Sequence, residues 1–437
     1  MANDKEVRGT AVARMRGALR TSLFRTSFFL LLRSGVNAGL GFVFWLVVGR
    51  LYVPTEVGYA ATLLSLVLLL ARIAALGLPQ GILRFLPSDP DRNGLINGAF
   101  TASAIAAAVI GVVFFAGFSL WADPELTLLL VDPTMIAVLL VSLMFFALDG
   151  VLDNAFTAAR RADYGLVRTT TFYTLRLPLA ALFVPIGVLG IAAAWTVSLV
   201  VSILSAAILL PRFFPGYRPS LTLKGMRGRG IIGFSIWNYM TGIVAGASAS
   251  LLPLIIVSRL PAGVGGEAAA YFFAAYSIAT LLYAIPHSFS TSLLVEGSHA
   301  NTDMPTERRR TLRYSAPLLV VGIAGLVLLG RPLLGLIRDE YATASYEALV
   351  LLALASPIML VTGIFSSDLQ VGKRVRPIFA VTTLSLVVTL MSAYFALPTF
   401  GILGVAGGVV AGQATKLLLY VSLRQIRRNQ RSEPASA

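Results

Sequence analysis

Residues 49–81 read GRLYVPTEVGYAATLLSLVLLLARIAALGLPQG. A short polar turn, Arg50 to Gly58, leads into an apolar run long enough to cross a bilayer. One charge, Arg72, sits inside that run. An arginine near mid-membrane costs roughly 2.5–3.5 kcal/mol on insertion scales, so it either meets a ligand or is held by a neighbouring helix. The rest of the chain has to decide between these.

Of 437 residues, 57% are hydrophobic and 13% charged. Soluble domains carry about 25% charged residues, so this is an integral membrane protein. The formal net charge of +15 lies mostly in the gaps between apolar runs. That placement points to topology and to anionic lipids as partners, and away from nucleic acid. No cysteine is present, which excludes disulfides, thiolate metal sites and cysteine nucleophiles. With only His287 and His299, neither a metal nor another cofactor is expected.

Apolar segments fall near 24–48, 58–83, 95–121, 134–160, 165–187 and 189–211, then 230–258, 267–295, 311–332, 345–371, 376–398 and 402–425. Each can cross a hydrocarbon core, and unsatisfied backbone in lipid leaves helices as the form. Short alternating barrel strands are not the pattern. An all-α polytopic protein of twelve transmembrane helices follows. The first apolar segment is too long for a signal-peptide core and is expected to remain as the first span.

Of the 35 Lys and Arg, Arg33, Arg72, Arg176 and Lys416 lie deep inside spans, and those near span ends, Arg168 among them, are counted with the adjoining gaps. Only Arg50, Arg259, Arg331 and Arg338 fall in the gaps on one side, and all the others fall on the opposite side or its termini. The positive-inside rule then places both termini in the cytoplasm of a multi-pass cytoplasmic (inner) membrane protein.

Residues 158–190 and 371–404 share a basic corner, a span with threonines in its first turns, and a Gly-x-Leu-Gly turn. Arg50-Leu51 and Arg259-Leu260 recur at nearly the same offset. The chain therefore divides into a basic segment (1–25), an N-lobe (26–211), a basic linker (212–229), a C-lobe (230–425) and a tail (426–437). Two parallel six-helix repeats suit alternating access around a site between them.

Polar residues at spacings of three, four or seven share a helix face. Arg33 and Asn37 do so on the first span, and Thr62, Ser65 and Arg72 on the second. Asp149 and Asp153 share the fourth, Tyr173 and Arg176 the fifth. In the second half Asn238 lies on the seventh span, Tyr283 and His287 on the eighth, Asp368 on the tenth, and Gln413 and Lys416 on the twelfth. A central cleft is expected in which Arg33, Arg72 and Arg176 hold a pyrophosphate, since the planar guanidinium fork suits phosphate oxygens. Asn37, Thr62, Ser65, Tyr173, Asn238, Tyr283, Gln413 and Lys416 would line it. Asp149, Asp153, Asp368 and His287 are candidates for ion coupling. The competing reading is that each arginine pairs with an acid such as Asp149 or Asp153 and only locks the bundle.

No G-x-x-x-x-G-K-[ST] loop is present, so the energy comes from an ion gradient, the membrane potential or the cargo's own gradient. The gaps on the side opposite the termini are too short for a catalytic domain. A transporter is expected, not an enzyme.

Gly49-Arg50-Leu51-Tyr52-Val53-Pro54-Thr55-Glu56-Val57-Gly58-Tyr59 resembles the turn after the first helix in polysaccharide-biosynthesis flippases. Ala75-Leu76-Gly77-Leu78-Pro79-Gln80-Gly81 with Arg84, the corner Ala158-Ala159-Arg160-Arg161, and Gly187-Val188-Leu189-Gly190-Ile191 are similar to other positions of that family. The resemblance implies the multidrug/oligosaccharidyl-lipid/polysaccharide (MOP) exporter superfamily, with two lobes in a V around a central cavity. Within it, Wzx-type (O-antigen) flippases move polyprenyl-pyrophosphate-linked sugars between leaflets, and other polysaccharide assembly proteins become candidate partners. The alternative is an ion-coupled multidrug/cation antiporter of the same superfamily, though those usually carry an acid on the first helix where this chain has Arg33.

Overall fold

The computed structural model describes residues 22–120, 124–223, 236–297, 303–372 and 374–432. Most of the basic N-terminal segment, the linker beyond residue 223, Lys373 and the end of the tail lie outside the described residues. No strand occurs among the described residues.

The first half comprises α1 (Ser22–Leu51), α2 (Pro54–Ala74), α3 (Arg92–Ala116), α4 (Pro133–Ala158), α5 (Ala162–Leu182) and α6 (Gly187–Ala207). The second comprises α7 (Ile236–Arg259), α8 (Val264–Gly297), α9 (Met304–Gly335) and α10 (Tyr346–Val371). The last helical stretch, Val375–Ser432, is broken at Gly401 into α11 (375–400) and α12 (402–432). Among the described residues ten helices are apolar and long enough to cross a membrane, with Val375–Gln425 taken as one. Dividing it at Gly401 and adding α5 gives the expected twelve. α5 fails the hydropathy test because it carries Asp163, Arg168 and Arg176, yet its 21 residues rise about 31 Å. Its two arginines are buried.

Helix ends follow from local chemistry. The Asp91 side chain accepts from the Gly94 amide and Asp132 from the Thr134 amide, both at 2.8 Å, so each satisfies an orphan donor at a helix start. Pro54 opens α2 where its missing N–H costs nothing. α2 stops at Ala74 because Leu76 and Gly77 take positive φ (52° and 71°). A short helix, Leu78–Phe85, resumes from there. The break therefore comes two residues before Leu78-Pro79-Gln80-Gly81.

The repeat is visible in the backbone. Gly187 (φ 55°, ψ −131°) and Gly401 (φ 56°, ψ −144°) adopt a conformation open essentially to glycine alone. In each turn the fourth residue presses on the preceding helix. A Cβ on Gly190 would lie 2.1 Å from the Phe183 carbonyl oxygen, and one on Gly404 would lie 2.6 Å from that of Ala396. Glu56, in the first turn of α2, packs against Gly187.

The halves meet where α2 crosses α8. A Cβ on Gly58 would fall 1.8 Å from the Gly266 carbonyl oxygen, and one on Gly266 would fall 2.7 Å from Thr55 Cγ2. At the same end Arg338 Nη2 donates to the carbonyls of Arg50 and Tyr52 at 2.9 and 3.0 Å, and Arg50 Nε donates to Leu336. This end of the interface is shut. Toward the Arg84 end the helices part.

Replacing Gly401 by Ala meets no atom within 4 Å, so only backbone strain opposes it. Gly401→Ala is expected to cost about 1–3 kcal/mol and to lower the thermal midpoint in detergent. Gly407→Ala, whose Cβ would touch only Leu351 at 4.0 Å, should leave it level or raise it.

Candidate functional site

A cavity of about 1110 Å³ lies between the halves in their Arg84-end portion. Arg72, Gln80, Arg84 and Asp149 reach it from the first half; Asn238, Tyr239, His287, Gln370 and Lys416 reach it from the second. Arg72 is exposed to it. Neither Arg72 nor Lys416 has an ion-pair partner among the described residues. The Arg72 guanidinium lies over Gly246, where a Cβ would be 2.0 Å from Nη1. Only a glycine there leaves that space. Tyr239 fixes the end of α2 by donating to the Arg72 and Ile73 carbonyls at 2.8 and 2.6 Å.

Beside the cavity, the first half holds a compact charge cluster. Asp149 and Asp153, four apart on α4, face Arg168 of α5. Arg168 Nε and Nη2 donate to the two oxygens of Asp153 at 2.9 and 2.7 Å, and Nη1 pairs with Asp149. Arg33 of α1 closes the set by donating to Asp153. Arg33 is thus held by an acid, does not line the cavity, and departs from the cleft expectation. Its partner lies within reach because α1 runs along α5, and in low dielectric an acid draws any nearby cation.

Arg176 departs further. It is 1% exposed and sits in a box of aromatic rings, with its guanidinium carbon 3.9 Å from the Phe44 ring centre, 4.1 Å from Tyr173, 4.4 Å from Trp195 and 4.9 Å from Phe172. A desolvated cation–π contact is worth about 2 kcal/mol or more. Nε and Nη1 have no hydrogen-bond partner among the described residues. This arginine faces the core of the first half, so a periodicity that put it in line with Tyr173 put both on the packed side.

The other candidates divide. Thr62 is fully buried and donates to the Gly58 carbonyl at 2.8 Å, and Ser65 is buried beside it. Asn37 accepts from Tyr173 Oη. These four lie outside the cavity lining. Asp368 is held bidentate by Arg308 at 2.8 Å. Asn238 lines the cavity, and His287 and Lys416 line both it and a connected chamber of about 410 Å³ within the second half. Tyr283, which donates to the Leu352 carbonyl at 2.8 Å, and Gln413 line that chamber. Two residues escaped the periodicity argument. Arg168, counted among corner charges, is the hub of the acid cluster; two aspartates four apart on one face were a signal that a cation must cover them. Gly246 left no signal, because what matters there is a missing side chain.

The fold can now be set beside known ones. An inward-facing MATE family multidrug resistance transporter of the MOP superfamily superposes with a TM-score of 0.73, at 16% identity over 91% of this chain and 96% of that one. The fold is shared. The lipid II flippase MurJ in an inward closed conformation gives 0.74, at 13% identity over 91% and 87%. An outward-facing MATE family transporter gives 0.64, at 19% identity over 95% and 97%. No family model and no curated protein matches the sequence. The all-helical architecture expected from the apolar periodicity is the one these transporters have.

The two kinds of arginine separate by experiment. Arg168→Ala leaves Asp149 without its cation and Asp153 with Arg33 alone, and is expected to cost about 3–5 kcal/mol, seen as a large fall in thermal midpoint in detergent. Arg72→Ala removes an exposed, unpaired cation and should change stability by no more than about 0.5 kcal/mol, leaving the midpoint close to wild type.

Proposed function

We propose that this chain is a flippase that moves a polyprenyl-phosphate- or pyrophosphate-linked oligosaccharide across the cytoplasmic membrane for cell-surface polysaccharide synthesis. One observation carries the reading. Among the described residues, the cavity between the halves presents Arg72 and Lys416 without acid partners, whereas the nearby acids Asp149 and Asp153 are taken by Arg33 and Arg168. An uncompensated positive cavity favours an anionic cargo. Its volume and mixed polarity suit a head group larger than a phosphate alone.

In this reading the phosphate site is narrower than three arginines: Arg72 supplies the planar fork and Lys416 a point charge from the other half. Arg33 and Arg176 brace the first half. The charge asymmetry between gaps supports a cytoplasmic Arg84 end, with the cavity facing the leaflet where a lipid-linked precursor is assembled. The Gly58–Gly266 contact and the Arg338 clasp then close the outer side. Alternating access follows when that seal opens and the Arg84 end closes. The basic corners would meet anionic lipids, and polysaccharide assembly proteins are the partners a flippase would serve.

A cation antiporter on the same fold is disfavoured by Asp149. It is the acid on the described cavity wall, and its carboxylate is already paired with Arg168.

Arg72→Ala and Lys416→Ala are each expected to abolish surface polysaccharide in a strain that depends on this chain, with membrane protein levels unchanged by immunoblot. Full polymer in both mutants refutes an anionic cargo.

A further inference from the structure

The chamber in the second half has a chemistry of its own. It encloses about 410 Å³, within the size range of small-molecule sites, about 300–1,000 Å³. Hydroxyl and amide side chains dominate its lining, no carboxylate takes part, and Lys416 stands where it joins the main cavity.

The direction of the hydrogen bonds decides what such a lining accepts. Thr362 donates to the Met359 carbonyl at 3.1 Å and Ser367 to Ser290 at 2.7 Å. Ser385 donates to Gly412 at 2.8 Å and Thr389 to Ser385 at 2.9 Å. A serine or threonine hydroxyl has one proton to give and two lone pairs. With the protons committed to the main chain, these four side chains offer acceptors. Ser290 Oγ and Thr382 Oγ1, buried on the same wall, have no partner among the described residues, so each can both give a proton and accept one.

Gln370 and Gln413 add amides that both donate and accept, and a wall in which four hydroxyls can only accept is a poor match for a phosphate, which brings only acceptors. It is equally wrong for an apolar chain, which would leave these groups unpaired. Acceptor oxygens also suit small hard cations, but those sites draw on carboxylates, and here the one charged group is an ammonium. What remains is an uncharged ligand rich in hydroxyl donors.

We infer that this chamber is the saccharide subsite: the first sugars of the cargo enter the second half past Lys416 while the phosphate stays between Lys416 and Arg72. This rests on the flippase reading and adds to it where each part of the cargo lies. Burying donors against preformed acceptors discriminates strongly, because a cargo lacking them strands the wall. The sugar is therefore selected by the second half and the charge by the boundary between the halves.

The natural absence of cysteine allows a direct test. Single cysteines are introduced at Thr291 and Ser248, which line the chamber, and at Thr241, which lines the main cavity. Modification by a water-soluble methanethiosulfonate is followed in the full-length protein in nanodiscs. The probes are undecaprenyl pyrophosphate, the same lipid carrying glucose, galactose or N-acetylglucosamine, and the free sugars. The expected result is that every lipid slows modification of Thr241→Cys. Only sugar-bearing lipids slow Thr291→Cys and Ser248→Cys, by about tenfold. Protection of Thr241→Cys alone by every lipid overturns the chamber assignment and leaves the flippase reading standing. Protection of the chamber by free sugar alone overturns the lipid-linked form of the subsite. No protection at any position by any lipid overturns both.

Discussion

Everything in this molecule is arranged around two glycines that let backbone meet backbone. Gly58 and Gly266 bring α2 and α8 so close that a single methyl on either would enter the other helix's space. Small residues are what permit such approach in a bilayer, where apolar side chains gain little by leaving lipid for one another. With the halves touching at this end, their divergence toward Arg84 follows, and the cavity is the space that divergence leaves. The Arg338 and Arg50 hydrogen bonds to main-chain carbonyls add to the contact without depending on any partner side chain. A seal made of backbone is indifferent to protonation and to salt, unlike a seal of ion pairs.

Charge inside the bundle is handled in three distinct ways. Arg33 and Arg168 share two aspartates, a network in which removing any member leaves a buried charge uncompensated. Arg176 has no acid partner among the described residues and is wrapped in aromatic rings. Arg72 and Lys416 have neither, and face open space in the cavity. The first two arrangements neutralise a charge within the first half. The third leaves it to be answered from outside, which is what separates a candidate binding group from a strut.

Much of the architecture was readable in the amino-acid order because apolar length and basic corners act over a whole helix. Twelve crossings and the repeated Gly-x-Leu-Gly turn both belong to that scale, and the matching φ/ψ of Gly187 and Gly401 gives the second of these its physical content. The site was legible only in part. Face spacing ranks residues along one helix but does not say whether that face meets a cavity or a neighbour. Thr62 and Ser65 share a stripe with Arg72, yet they fall where α2 is packed, and Arg72 falls where it is not. Arg176 shows the same limit, for a lone cation among apolar residues looks alike in sequence whether it faces water or a ring. Nor could the hydroxyls of the second half be told from ordinary helix-facing serines until their proton donors were traced to carbonyls.

The seat of Arg72 has one more consequence. Its stem belongs to α2 in the first half, and its guanidinium rests on the bare Cα of Gly246 in α7 of the second. A charge mounted on one body and resting on another changes its surroundings whenever the two move apart. Arg72 is thus a gauge of the gap between the halves, and a cargo that draws it off Gly246 acts on that gap directly.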